Sequence, residues 1–203
     1  MKQKSIPDVF ILESLDAGDV RLGLREGEKI ADILRIVGKD PKYYYFTNFS
    51  ELEYLLALFE LSGYRYLHFS THGNEQGIAS TQDYASYSKF ARYLKDRLNK
   101  KRLFFSACAV GNQKFVDSIA EFNPGIRSIM APSRNIEFSH SIATWSAFYL
   151  SMFNRNSEGM NGDDIIETID AFCKIFPYEF FYASRSSEDR DWRVHTSSGQ
   201  KQI

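Results

Sequence analysis

The chain has 203 residues, 43% hydrophobic and 15% aromatic, which suits one sizeable folded domain over 1–203 and excludes a disordered chain. A net charge of −1 leaves no footprint for a nucleic acid, and no apolar run reaches the roughly 18 residues of a membrane-spanning helix. Two cysteines, Cys108 and Cys173, make no disulfide framework; with no signal-peptide pattern at the N-terminus, they point to a reducing cytoplasm.

"DVFILES" (8–14) reads as a buried strand, and "EGEKIADILRIVG" (26–38) as a helix stopped by glycine. "KYYYFTN" (42–48) is rich in β-formers. In "NFSELEYLLALFELSG" (48–63), Ser50 is placed to cap an amphipathic helix that presents Leu52, Leu55, Leu56 and Phe59. A strand follows at 64–72, then a helix at 86–99, a strand at 102–108, a helix at 112–122 and a strand at 126–132. Helices are predicted at 137–153 and 163–176, with a last strand at 178–184. The polar residues 196–203 read as a flexible tail.

Strands alternate with helices, which implies an α/β fold with a mostly parallel sheet of about six strands and helices on both faces. The strands are continuous apolar runs, as doubly covered strands should be. In such sheets ligands sit at the carboxyl ends of the strands. Two runs, "YRYLHFSTH" and "RLFFSAC", end there in His72 and Cys108. If these strands are neighbours, their axes lie roughly 4.8 Å apart and the two side chains can converge.

A thiol with an ordinary pKa near 8.5 is mostly protonated at neutral pH, so a cysteine nucleophile needs a base. A histidine takes the proton and later returns it to a leaving amine. The backbone N–H groups of Gly73 and Cys108 are candidates for binding an oxyanion. These parts fit an amide hydrolase that needs no metal or cofactor. Each residue alone has a plain alternative: Cys108 as a small apolar residue, His72 as loop surface.

The segments "YLHFSTHG" and "LFFSAC" resemble the two signature strands of caspase-like cysteine peptidases (clan CD), most closely the CHAT group related to separase. "SIMAPSRNIEFSHSIATWSAFY" (128–149) resembles the stretch that follows the nucleophile in that group. The resemblance covers about residues 60 to 150 and implies a caspase-like fold and a cysteine endopeptidase with a His72–Cys108 dyad. It also implies control by a protein partner, and bacterial defence or signalling as a setting. Separase-like relatives hold a basic P1 side chain with an aspartate, and Phe138 aligns to that position with Glu137 beside it. Glu137, Phe138 and Asp16 are therefore the S1 candidates, with Asp19 as a further loop carboxylate.

His68 and Cys173 read as core residues, Trp145, Phe148 and Tyr149 as helix packing, and His140 carries no assigned role. H-x-x-x-H at 68–72 lies on a strand and lacks the zinc helix's glutamate. A caspase-fold adaptor with an unused dyad is the alternative function. A nucleotide-binding module lacks a phosphate loop here.

Overall fold

The computed structural model describes residues 5–185 and 191–198. One nine-stranded sheet organises them. Its strands are β1 (Ile6–Ser14), β2 (Lys42–Tyr45), β3 (Tyr64–Asn74), β4 (Gly77–Ala79), β5 (Tyr84–Ser86), β6 (Arg102–Ser106), β7 (Ser128–Pro132), β8 (Glu179–Ser184) and β9 (Arg193–Ser198). The order across the sheet is β2-β1-β3-β6-β7-β8-β9, and β4 and β5 form a ribbon off β3. β2, β1, β3, β6 and β7 run parallel, β8 runs antiparallel to β7, and β9 runs antiparallel to β8.

Seven helices connect the strands among the described residues: α1 (Ala17–Arg21), α2 (Glu26–Ile36), α3 (Leu52–Ser62), α4 (Tyr87–Tyr93), α5 (Gln113–Phe122), α6 (Phe138–Arg155) and α7 (Gly162–Ile175). They cover both faces of the sheet. Along a strand successive side chains point to opposite faces, and the burial follows that period. Phe10, Leu12, Leu67, Phe69, Leu103 and Phe105 pack with α3, α4 and α5. Val9, Ile11, Tyr66, Phe104 and Met130 pack with α2, α6 and α7. A helix layer on each face is why the strands read as unbroken apolar runs.

The differences from the predicted elements are local. The sheet has nine strands where about six were expected. The added ones are β4, β5 and β9, which are short or polar. Residues 196–198, predicted to begin a flexible tail, finish β9, and Ser197 is buried; residues 199–203 lie outside the described residues. Ser50 does not cap α3: its hydroxyl turns to the Asn48 side chain, at the start of a short 3-10 turn that precedes the helix. α1 was not predicted. Asp16 forms it by accepting from the N–H groups of Gly18 at 2.7 Å and Asp19 at 2.8 Å, an N-cap.

β3 and β6 are neighbours, in a register that sets Ser70 opposite Ser106. β6 stops at Ser106, so Cys108 lies two residues past the strand rather than at its end. β3 runs two residues beyond His72, because His72, Gly73 and Asn74 pair with β4.

Candidate active site

Four chain segments meet at the carboxyl ends of the parallel strands. His72 is where β3 leaves the main sheet for the ribbon, and Cys108 is in the turn between β6 and α5. Both line one open cavity of about 170 Å³, together with Asp19, Glu26, Ser70, Ser106, Phe138 and Ser141. Gly73 explains the close approach. A Cβ on Gly73 would lie 2.7 Å from Val110 Cγ2 and 3.1 Å from Ala107 Cβ. Any side chain would therefore push the histidine strand off the cysteine turn. That turn is tight, with Ala109 at a φ of 57°. The Cys108 N–H makes no backbone hydrogen bond among the described residues, which leaves it free to bind an anion. Its thiol donates to the Ile136 carbonyl at 3.7 Å, a weak contact.

His72 is oriented by Asp19. Its Nε2 lies 2.7 Å from Asp19 Oδ2 and 3.8 Å from Asp16 Oδ2. A carboxylate only accepts, so Nε2 carries the hydrogen and Nδ1 is the basic nitrogen. The topology makes this contact. β1 pairs with β3 up to Ser14 opposite Thr71, so the chain leaving β1 passes beside His72. α1 then holds Asp19 in place through the Asp16 cap. The Asp19 N–H bonded to Asp16 is the main cause that holds the Asp16 carboxyl below the usual carboxylate range. Asp16, Asp19 and His72 offer three ligand atoms within 4.8 Å of one another. A cation held there would occupy Nε2 and break its bond to Asp19.

Asp19→Asn should slow alkylation of the Cys108 thiol at neutral pH by about ten-fold to a hundred-fold, because the amide lets the His72 ring turn or adopt the other tautomer. The alkylation rate against pH in wild type and variant checks this; superimposable profiles would make the contact a surface ion pair.

The floor of the cavity is acidic. Glu26 at the start of α2 is 3% exposed. Its carboxyl accepts from Ser70 of β3 at 2.8 Å, Ser106 of β6 at 2.8 and 2.9 Å, and Ser141 of α6 at 2.7 Å. Burial raises it from an ordinary 4.5 to about 7, against the lowering effect of the three hydroxyls. Glu13 is equally buried and is raised by the same cause; it accepts from the Gly27 N–H and the Tyr43 hydroxyl, each at 2.7 Å. Among the described residues no cation pairs with either acid.

Of the S1 candidates, Phe138 lines the cavity, as does Asp19, which holds His72. Glu137 is not in the lining; its exposed carboxylate faces His140 at 3.5 Å. Asp16 is not in the lining either. Glu26 was not anticipated from the sequence. His68 is a core residue as predicted: fully buried, edge-on to Trp145, bonded through Nδ1 to the Tyr149 hydroxyl and pushed down to about 3 by burial. Cys173 is buried in α7.

No family profile and no curated protein matches the chain. Among solved structures it is similar to a secreted C11 cysteine protease from Bacteroides thetaiotaomicron, with a TM-score of 0.59 over 90% of this chain and 67% of that one, at 7% identity. It is also similar to the Arg-specific cysteine proteinase gingipain R, with a TM-score of 0.52 and 13% identity. That match covers 83% of this chain and 42% of the other, so this chain spans less than half the length of that neighbour. The likeness is one of fold, and it matches the caspase-like α/β architecture expected from the sequence. No described helix is long and apolar enough to cross a membrane.

Proposed function

We propose that the chain is a cysteine endopeptidase of the caspase-like type in which Cys108 is the nucleophile, His72 the base and Asp19 its orienting partner. The observation that carries this reading is the 2.7 Å hydrogen bond to Asp19 from a histidine that shares a cavity with Cys108. In the proposed reaction, His72 Nδ1 takes the thiol proton and the thiolate sulfur attacks the scissile carbonyl. The oxyanion is held by the Cys108 N–H, with Gly73 contributing its own. Collapse expels the amine, which leaves with the proton from Nδ1, and the thioester is then hydrolysed by water activated at the same nitrogen. The two free cysteines suit a reducing cytoplasm, and the resemblance to the CHAT group favours a partner-controlled protease. A peptidyl electrophile tests the reading: it should label Cys108, require His72 and spare Cys173. Equal labelling of both cysteines would favour an adaptor.

The same reading assigns P1 preference to Glu26 in place of Glu137. A buried carboxyl without a cation is complementary to an arginine or lysine side chain entering from the cavity. The three serine hydroxyls can rotate away to let a guanidinium or ammonium replace them. Ionisation of Glu26 would be required, so cleavage after basic residues should rise with pH through about 7.

Stability should run the other way. Folding raises this carboxyl from 4.5 to about 7, so the folded chain binds its proton more tightly than the unfolded chain. That contribution to stability is complete below the unfolded value and is lost as pH rises through about 7, an effect on the order of 3 kcal/mol. Glu26→Gln should therefore become more stable relative to wild type between pH 4.5 and pH 8. It should also lose about ten-fold or more of its cleavage after arginine and lysine, with unchanged alkylation of Cys108 by iodoacetamide. Thermal unfolding at both pH values, together with a peptide-library profile, reads both effects. A stability gain without any change of preference would leave Glu26 a structural acid.

A further inference from the structure

The sheet has a second cavity, at the end opposite His72 and Cys108. There the amino ends of β3, β6 and β7 meet the connection between α6 and α7. It encloses about 210 Å³, and its polar lining is Arg65, Lys100, Arg102, Arg127, Asn156 and Asn161. No Asp or Glu is in the lining. Among the described residues none of the four cations is paired with a carboxylate, although Arg35, Arg97, Arg134 and Arg155 elsewhere all are.

Arg102 is the least expected of them. It begins β6 and is 4% exposed. One terminal nitrogen donates to Ser128 Oγ at 2.7 Å and Tyr182 Oη at 2.9 Å, and the other to the Met160 carbonyl at 2.8 Å. All three acceptors are neutral. Arg65 also bonds only neutral oxygens: Ser5 Oγ at 2.9 Å, the Ser5 carbonyl at 3.2 Å and the Glu158 carbonyl. A guanidinium does not shed its proton in a protein. A buried one without a counter-charge is costly, and Arg127 beside it adds repulsion. The fold thus holds a cluster of like charge around a concave space and leaves it uncompensated.

We propose that this cavity binds a small phosphate-bearing anion, a di- or triphosphate group either free or on a nucleotide. Guanidinium forks match phosphate oxygens in pairs, and the lysine and asparagines add single donors. The most buried cation lines a cavity of small volume, which suits a compact solute better than an extended polyanion. The net charge of −1 also argues against a polynucleotide surface. The proposal is independent of the catalytic reading.

Calorimetric titration of the full chain with inorganic pyrophosphate and with ATP, at constant ionic strength, tests it. The expected result is saturable binding of one anion per chain and a higher unfolding temperature, as a ligand of the folded state alone requires. Arg127 and Lys100 are exposed, so Arg127→Gln and Lys100→Gln should fold normally. Each should weaken binding by about ten-fold and leave Cys108 alkylation unchanged. ATP binding without pyrophosphate binding would still support the site, with the nucleotide as the source of the phosphate. No saturable binding of either probe, or full binding in both variants, would overturn the proposal. Citrate binding as tightly as pyrophosphate would overturn the phosphate assignment. A tighter, steeply salt-dependent complex with a single-stranded oligonucleotide would overturn the small-solute assignment.

Discussion

Cys108→Ala should abolish peptide cleavage while the chain keeps its fold. The residue stands outside β6, is only half-buried, and its thiol makes one weak contact at 3.7 Å. Removing one sulfur there should cost about 1 kcal/mol of stability. The covalent route is lost entirely, because no other thiol lines the cavity. Cys173→Ala is the matched control: that thiol is buried, and burial pushes it up to about 11, so it supplies no thiolate at neutral pH. Cleavage assays and thermal unfolding on both variants decide the matter. More than trace activity in Cys108→Ala would remove it as the nucleophile.

His72→Ala should slow acylation by a factor on the order of 10³ or more. The imidazole is about half exposed, so the fold loses little when it goes. What goes, on the proposed mechanism, is the acceptor for the thiol proton and the donor for the departing amine. The rate of Cys108 alkylation as a function of pH isolates the first of these roles, and partial recovery by added imidazole isolates the second. A variant whose alkylation profile overlays that of wild type would take His72 out of the chemistry. Asp19 would then be no more than a partner for a surface histidine.

The fold and the meeting of His72 and Cys108 at one cavity were legible in the sequence because both rest on strong local signals. Apolar runs separated by amphipathic helices give a doubly covered sheet. His72-Gly73 and Cys108 stand where two such runs give way to small-residue turns. The missed elements carry no such signal. β9 is "RVHTSS", an edge strand with little apolar content, and β4 and β5 are three residues each. α1 is five residues held by one cap.

The acidic floor was hidden for a different reason. Glu26 opens a helix, an ordinary place for an exposed glutamate near a helix N-terminus. Its three partners are scattered over β3, β6 and α6, and only the strand register brings them to one carboxyl. A trace was nevertheless present: Ser70 and Ser106 are polar residues inside buried runs, two positions before His72 and Cys108 respectively. The cationic cavity left a similar trace in Arg65 and Arg102, charges near the starts of the same two strands.

The alternation of side chains along β3 and β6 also restricts how the gene can change length. His68 and Ser70 of β3 face the same layer as Phe104 and Ser106 of β6, and His72 and Cys108 follow the two series by two residues. Deleting or inserting one codon within either strand would turn every later side chain to the opposite face. Phe69 or Phe105 would then move to the acidic floor, and the serines would enter the aromatic layer that these two rings form with Phe90 of α4. Length variation that preserves this site should therefore fall outside these strands. The 94–101 and 123–127 connections are the places for it, since neither contributes a residue to the cavity that holds His72 and Cys108.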